Sequence, residues 1–323
     1  MANENIPDIA AVRAVLERAS RAPSLHNSQP WRWRWDGARA ELHVDAERLL
    51  PATDMFNREG ILGCGVVLHH AAVCWAAAGW DVRIARFPQP TVRAHVATLE
   101  PGHPHVPTEP DLHLGAAVDR RYSDRMPMDA PPGWSTTRQV LEHLGRRSDT
   151  TVTFLDSTEA PALHRISELA TRLRRYDPRY QSELAWWASG PDHGSAGVPA
   201  DVLPTALDRG HIPVGREFPS GTAEPADDAD DAAMIAVLST TGDSAADLLD
   251  CGTALSALLL ECTVQDLSTC TVSHVVELPS ARAMLAELVG QRHPQVLIRI
   301  GTARADPPPR TARRPVDSIL DLS

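Results

Sequence analysis

Apolar residues recur at helical spacing in several separate stretches of the chain. Near the N-terminus Val12, Leu16 and Ala19 share one face, which predicts a helix over 6–21. Residues 59–79 are apolar almost all round a helix, and 245–266 is similar. A helix without a polar face has to be surrounded by protein, so both should be buried.

Alternation of polar and apolar residues with a period of two predicts the strands. WRWRW and ARAELHV alternate on either side of Asp36-Gly37, which favours a hairpin with a two-residue turn. Further strands are predicted over 81–87, 92–99, 151–156, 233–239 and 295–301, and further helices over 109–121, 134–146, 159–181 and 279–289.

Composition divides this pattern into parts. A Pro- and His-rich stretch at 101–110 marks a boundary between a first half, 1–105, and a second half, 106–323. Residues 186–231 lack periodicity and are rich in Gly, Pro and Asp, so this insertion is either a functional, lid-like segment or disordered. The C-terminal arm, 302–323, should be extended.

The two halves carry an internal echo. Residues 62–68 and residues 249–255 both read L-x-C-G-x-x-L, and each opens an apolar helix that leads toward a strand. Duplication explains this match better than chance. Glycine inside a helix costs about 1 kcal/mol, so its presence at Gly65 and Gly252 predicts close approach of another backbone, as where two central helices cross.

The charged residues exclude several classes of binding partner. The net charge is −11 and the pI about 5.7, which argues against nucleic acid or an anionic membrane. The sequence has no lysine, which excludes Schiff-base chemistry and a P-loop, so guanidinium groups must hold any anion. The N-terminus lacks the features of a signal peptide. The sequence also predicts no apolar run long enough to span a membrane. A cytoplasmic location follows from these features.

Cysteine and histidine offer little chemistry by spacing. The five cysteines include no C-x-x-C, so neither zinc binding nor a disulfide framework is expected. The 14 histidines lack ligand spacing, so no metal site is predicted. His26, His69 and His70 are better explained by packing than by catalysis, and no catalytic acid–base pair is assigned.

Two kinds of segment could bind a ligand. The turn APSLHNSQPW places Ser24 and Asn27 where hydroxyl, amide and backbone N–H groups suit the edge of a heterocycle such as a flavin. Alternatively, these side chains only satisfy turn backbone. Arginines cluster at 120–125 and 310–314, where they could hold a phosphate. Alternatively, the first cluster is a solvated helix end and the second a basic terminus.

Three motifs together resemble the nitroreductase family of flavin oxidoreductases. They are P-S-x-x-N-x-Q-P-W at 23–31, RRYSDR at 120–125, and the strand, loop and R-x-P pattern of LIRIGTARADPPPRTARRP. With GCGVVLHHAAVCWAAAGW, they are most similar to the Acg-like group of tandem NAD(P)H nitroreductases. The resemblance implies an α+β, nitroreductase-like fold made of two pseudo-symmetric half-domains in one chain, with FMN as cofactor.

The resemblance also implies roles for individual residues. The ring of FMN would lie against Pro23, Ser24, Leu25, His26 and Asn27, with a backbone N–H near Ser273. The phosphate would be held by Arg121, Ser123, Arg125, Arg310 and Arg313. The family works as a homodimer whose two subunits supply these groups separately. Here the first half keeps only the turn and the second only the arginines, which predicts one site per chain in a monomer acting as a pseudo-dimer, with further dimerisation left open.

The implied activity transfers electrons from NAD(P)H through flavin to a nitroaromatic or quinone-like acceptor. Two departures from the family weaken this expectation: the stretch 268–274 has no glutamate beside the flavin, and the chain has no lysine. The alternative is a lid-closed protein that stores FMN or senses redox state with little turnover. A degenerate fold without cofactor is disfavoured because the two halves keep complementary motifs.

Overall fold

The fold is mixed helix and sheet, as seen in a computed structural model that describes residues 6–188, 196–219, 221–223 and 230–323. The helices are α1 (Ile9–Ala19), α2 (Arg58–Ala77), α3 (Glu109–Arg120), α4 (Trp134–Arg146), α5 (Ala160–Arg174), α6 (Pro178–Trp187), α7 (Ala206–Gly210), α8 (Ala245–Val264) and α9 (Pro279–Val289). The strands are β1 (Trp31–Trp35), β2 (Ala40–Val44), β3 (Trp80–Arg86), β4 (His95–Pro104), β5 (Thr150–Leu155), β6 (Met234–Thr240), β7 (Ser268–Val272), β8 (His293–Gly301) and β9 (Leu320–Leu322).

The strands form two sheets. The first has the order β3-β4-β2-β1-β9 and the second β5-β6-β8-β7. Every pairing is antiparallel except that of β9, which runs parallel to β1 with Trp33 opposite Leu320. The last residues of the chain therefore complete the sheet that its first strands begin.

The helices α2 and α8 cross at the centre of the molecule. A Cβ atom on Gly65 would lie 2.9 Å from the Gly252 Cα, and one on Gly252 would lie equally close to the Gly65 Cα. Each would also clash with a carbonyl oxygen of the facing helix, at Leu249 and Leu62 respectively. The close backbone approach predicted from the repeated motif is confirmed, because only glycine leaves room for it.

One hydrophobic core surrounds this crossing, and further clusters of buried apolar residues lie elsewhere in the described chain. It joins Trp31 and Trp33 of β1, Trp75 of α2, Leu258 of α8 and Ile298 of β8, all of them essentially inaccessible to solvent. By length and composition α2 could span a membrane, but 72% of that stretch is buried inside the protein. Packing in the core accounts for its apolar surface.

Four sequence-based predictions need correction. The predicted helix 159–181 is two helices, because Pro178 cannot donate a backbone N–H and Asp177 caps the second helix by accepting from Tyr180 N at 3.1 Å. Residues 101–104, assigned to a boundary, extend β4. The hairpin exists, but residues 36–39 form a four-residue loop, because Trp35 pairs with Ala40.

The fourth correction concerns two strands that were not predicted. β9 has only three residues and lies in a tail that is Pro- and Arg-rich. β7 is as long as β1, but its sequence Ser-Thr-Cys-Thr-Val has no large apolar residue besides Val272 to make alternation visible.

The insertion 186–231 is only partly described. It includes the end of α6, a short 3-10 helix at Ala200–Val202 and α7, while 189–195, 220 and 224–229 lie outside the described residues. The division into halves at 105 and the lid-like role of the insertion stay predictions.

Candidate functional site

A turn between α1 and β1 forms one wall of the candidate site. His26, Asn27 and Gln29 all have left-handed backbone angles, with φ of 51°, 54° and 52°. Such angles are uncommon for residues other than glycine and are maintained by surrounding structure. Here Ser24 Oγ accepts the Gln29 N–H at 2.9 Å, so the hydroxyl does satisfy turn backbone, as the structural interpretation of this motif predicted.

Asn27 connects this turn to two distant segments. Its Nδ2 donates to the carbonyl of Gly197 at 3.0 Å and to that of Ala312 at 3.1 Å. Its Oδ1 is buried and has no hydrogen-bond partner among the residues that the structure describes. One acceptor on a rigid turn therefore remains available to a ligand.

Arginines from distant parts of the chain lie close together beside the turn. Arg121 follows α3 and donates to the carbonyl of Arg21 at 3.1 Å. Arg313, from the C-terminal arm, donates to the carbonyls of Ser20 at 3.0 Å and Arg21 at 3.2 Å. Arg125 completes the group; its Nη1 lies 3.5 Å from the Ser123 carbonyl oxygen, and its guanidinium lies over the Phe218 ring, 5.8 Å from the ring centroid. All of these bonds go to neutral carbonyl groups.

No carboxylate forms an ion pair with Arg21, Arg121, Arg125 or Arg313 among the residues that the structure describes. Burial, and then Arg21 and Arg125, lower the pKa of Arg121 to about 10. Burial and the same group of neighbours lower the pKa of Arg313 well below its usual range. Burying cations that repel one another costs free energy unless an anion lies among them. This cluster is therefore suited to binding a phosphate.

Arg314 is a useful contrast to its neighbour in sequence. Its Nη1 lies 3.1 Å from an Asp45 carboxylate oxygen, and both side chains are at least nine-tenths buried. Its backbone N–H also donates to Gln29 Oε1 at 2.8 Å. Arg314 therefore fixes the C-terminal arm to the first sheet, whereas the guanidinium of Arg313 has no such partner.

Two adjoining cavities open on these groups. The first, here the arginine cavity, has a volume of about 490 Å³, and Asn27, Arg121, Arg310 and Arg313 line it. The second, here the inner cavity, has about 350 Å³. The residues shared by both linings are Pro23, Ser24, Ser123 and Arg125. A ligand with an anionic end and an aromatic end could extend from one cavity into the other.

The inner cavity has an apolar wall made by the crossing helices. Leu62 and Val66 of α2 and Leu255 of α8 contribute to it. Leu25 and His26 line the same cavity from the turn. Charged side chains, among them Arg172 and Glu168, also line this cavity. Because its apolar wall suits one face of a flat heterocycle, this cavity is the better place for a ring.

Ser273 and His274 line the inner cavity just after β7. The Ser273 hydroxyl donates to Glu277 at 2.8 Å, so the side chain itself is occupied. His274 Nε2 lies 2.9 Å from Ser167 Oγ, while its Nδ1 is buried and has no partner within the described part of the chain. Burial and nearby Arg216 lower the pKa of His274 to about 3, so it is neutral at physiological pH.

The described part of the insertion also lines the inner cavity. The Phe218 ring packs edge-on against the His26 ring, with centroids 5.7 Å apart. Arg216 forms a buried ion pair with Glu277 and donates to the Tyr180 hydroxyl at 2.6 Å. These contacts hold the insertion against β7 and the turn.

The structure places every predicted site residue on one of the two cavities. Their roles toward a cofactor remain predictions. The sequence analysis missed Arg21, Glu59, Arg216 and Phe218 as cavity residues. Arg21 directly precedes the turn motif and could have been included, but nothing in the sequence distinguishes the other three.

A separate group of polar side chains lies on the first sheet. Among the described residues, Glu41, His43 and His95 offer ligand atoms within 4.8 Å of one another. The two imidazole rings are stacked, with centroids 4.6 Å apart and an interplanar angle of 18°. A metal ion in the plane of one ring would lie outside the plane of the other, so this arrangement is poorly formed for coordination.

Comparison with known proteins gives the family. No family model matches the chain. The chain is 38% identical over 316 residues to a Mycobacterium tuberculosis protein named "Putative NAD(P)H nitroreductase acg", covering 96% of this chain and 95% of that protein. A second protein of the same organism, which also has "Putative NAD(P)H nitroreductase" in its name, is 37% identical over 329 residues. The match covers 99% of this chain and 93% of that protein. The chain therefore belongs to the nitroreductase family, and the predicted α+β, nitroreductase-like fold class is confirmed.

Similar solved structures are more distant. One is a nitroreductase with bound FMN from Bacteroides fragilis, 12% identical, with a TM-score of 0.39, covering 62% of this chain and 94% of that one. Another is the FMN-dependent nitroreductase NfnB from Mycobacterium smegmatis in complex with NADPH, 15% identical, with a TM-score of 0.35, covering 64% and 93%. These likenesses are weak, and the family assignment rests on the sequence relatives.

Proposed function

We propose that the chain binds one FMN, with its phosphate in the arginine cavity and its ring in the inner cavity. The observation that carries this proposal is the cluster of buried Arg121 with partly buried Arg125 and Arg313, which form no ion pair with a carboxylate among the described residues. This cluster lies directly beside a cavity that has an apolar wall. FMN has the matching parts: a dianionic phosphate joined to a flat heterocycle. Ser24 lies where the two cavities meet. Asn27, whose Oδ1 has no partner among the described residues, lies in the arginine cavity.

FMN, when bound, supplies the redox chemistry. The proposed activity takes electrons from NAD(P)H, the reductant in the names of the relatives, and delivers them to a nitroaromatic or quinone-like acceptor. The protein would contribute binding, orientation and exclusion of water. His26 and His274 are neutral, and each has one ring nitrogen without a partner among the described residues. These nitrogens are uncharged polar atoms that a ligand in the cavity could contact.

We also propose that the site is composite and occurs once per chain. The turn at 23–27 comes from the proposed first half, and the arginines at 121, 125 and 313 come from the second. The packing of α2 against α8 supports this arrangement, because the two helices join both groups in one core. A single chain would then do what two subunits do elsewhere in the family.

The second candidate is a closed FMN-binding protein that stores the cofactor or senses redox state with little turnover. It is favoured by the contacts of the insertion: Phe218 against His26, the buried pair Arg216–Glu277, and the bond from Asn27 to Gly197. These would restrict entry of a second substrate to the inner cavity. The insertion would then act as a lid.

The visible spectrum of the purified protein distinguishes the two candidates. We expect flavin absorption near ~370 and ~450 nm, the ordinary bands of oxidised flavin. Bleaching on anaerobic addition of NADPH, with recovery on addition of a quinone, supports the reductase. Bands that persist with NADPH but disappear with dithionite support the closed protein. A chain that neither carries flavin nor takes up added FMN would contradict both.

A further inference from the structure

Glu59 is a buried acid whose side chain has no partner. It is the second residue of α2, lines the inner cavity and is only 7% exposed. Within the described part of the chain, its carboxyl group makes no hydrogen bond and no ion pair. A buried polar group without a protein partner is costly, and one that borders a cavity is available to a ligand there.

The charges around Glu59 are already committed to other groups. Asp54 accepts the N–H groups of Arg58 at 2.8 Å and Gly60 at 3.0 Å, so it occupies the positive end of α2. Glu277 holds the buried guanidinium of Arg216. The guanidinium of Arg58 extends to Gln295 and lies 3.6 Å from Asp243.

Three carboxyl groups, those of Asp54, Glu59 and Glu277, therefore lie close together, and all three also line a further cavity of about 590 Å³. The titratable groups that face Glu59 are Asp54, Arg58, Arg216, Glu277 and the Cys251 thiol. Burial raises the pKa of Glu59 well above its usual range, Asp54 and Glu277 raise it further, and Arg58 and Arg216 oppose this only in part. The closeness of the three carboxyl groups and the repulsion between their charges both favour the protonated form of Glu59.

We propose that Glu59 is a neutral carboxylic acid that donates its O–H as a hydrogen bond to the ring system bound in the inner cavity. The ligand class is an uncharged heterocycle or carbonyl compound with an acceptor nitrogen or oxygen. The identity of that ring as flavin rests on the proposed function. A carboxylic acid kept neutral by its surroundings acts as a donor without adding charge to the cavity.

Two variants of the full chain separate a neutral donor from a carboxylate. Glu59→Gln keeps an N–H donor of the same shape, and Glu59→Ala removes it. We expect FMN to bind Glu59→Gln within about threefold of the wild type and Glu59→Ala roughly tenfold more weakly. A tenfold loss corresponds to ~1.4 kcal/mol, which lies within the range for one neutral hydrogen bond. Glu109→Gln, an exposed glutamate on α3, serves as the control. Equal losses in the Gln and Ala variants, or no loss in either, would overturn the proposal.

A second readout needs no bound flavin. Carboxyl ¹³C NMR of glutamate-labelled protein without FMN, with Glu59 assigned through Glu59→Gln, should show Glu59 protonated at pH 7. An ionised Glu59 at pH 7 would overturn the proposal. Failure of the wild type to bind FMN would defeat the proposed function, and the NMR titration would still decide the state of Glu59.

Discussion

Gly65 and Gly252 face each other across the crossing of α2 and α8, and neither has room for a side chain. A Cβ on either residue would lie 2.9 Å from the Cα of the other, with a carbonyl oxygen closer still. Both glycines occupy the same position of the repeated L-x-C-G-x-x-L motif. This reciprocal contact joins the segment that carries the 23–27 turn to the segment that carries the arginines.

Substitution of either glycine should separate the two helices. We expect Gly65→Ala or Gly252→Ala to lower the free energy of unfolding by about 3 kcal/mol or more, because overpacking against backbone exceeds the gain in helix propensity. Gly63→Ala is the matched control, since its Cβ would make ordinary contacts at 3.7 Å to Ser24 and 3.8 Å to Pro30. Urea unfolding checks this, and equal stabilities of the Gly63 and Gly65 variants would contradict the close crossing.

The arginine cluster should discriminate FMN from riboflavin. Arg121→Ala and Arg313→Ala should each weaken FMN binding by roughly 1.5–3 kcal/mol, the range for a charge-assisted bond to a desolvated phosphate. Riboflavin, which has no phosphate, should bind all variants alike. Arg138→Ala, which removes an exposed partner of Glu142, is the control. Fluorescence titration measures both ligands, and unchanged FMN affinity in both variants would remove these arginines from the site.

Access to the inner cavity should depend on the insertion. Phe218→Ala removes the ring that packs against His26, and we expect it to raise the rate of flavin reduction by NADPH severalfold. Leu207→Ala, in α7 of the same insertion but 63% exposed, should leave the rate unchanged. Stopped-flow reduction tests this. If both variants are reduced as slowly as the wild type, the flavin environment rather than a lid limits the rate.

Stability without FMN should fall as the pH drops from 7 to 5, in part through His274. Its pKa is lowered to about 3 in the folded protein, against ~6.5 when unfolded, so between these values the unfolded chain binds the additional proton. The contribution is fully present above pH ~6.5 and should fall by roughly 2 kcal/mol at pH 5. The buried His26, His69 and His70, whose pKa values burial also lowers, act in the same direction. Asp54, with a pKa raised to about 6, and Glu59, with a pKa raised well above its usual range, act in the opposite direction.

A comparison of variants isolates the histidine. His274→Gln should flatten the pH dependence by this amount, and His113→Gln, which is exposed on α3, should not change it. Urea midpoints at pH 7 and pH 5 provide the measurement. Parallel curves for the wild type and His274→Gln would show that the imidazole is not held neutral.

Periodicity predicted most of the fold, because the long helices and the buried strands bury continuous apolar faces. It failed where local chemistry or long-range pairing decides: Pro178 interrupts a helical pattern, and β9 exists only because β1 offers it an edge. In the candidate site, residue type identified the turn and the arginines. It could not show that Arg314 is neutralised by Asp45 while Arg313 is not, since that depends on which carboxylate folds against which guanidinium.

Glu59 illustrates the same limit. An acid in the first turn of a helix is ordinarily explained by the helix dipole. Only the structure shows that Asp54 takes that position and leaves Glu59 beside the cavity. A burial pattern can be inferred from sequence, whereas competition between neighbouring charges depends on their arrangement in space.

The stoichiometry of FMN binding tests the central claim most directly. The dialysed full-length chain would be titrated with FMN, and the bound cofactor counted by absorbance after separation from free ligand. A composite site built from the 23–27 turn and the arginines at 121, 125 and 313 predicts one FMN per polypeptide, with affinity reduced by Arg121→Ala. Two FMN per chain, or none at saturating concentration, would contradict it.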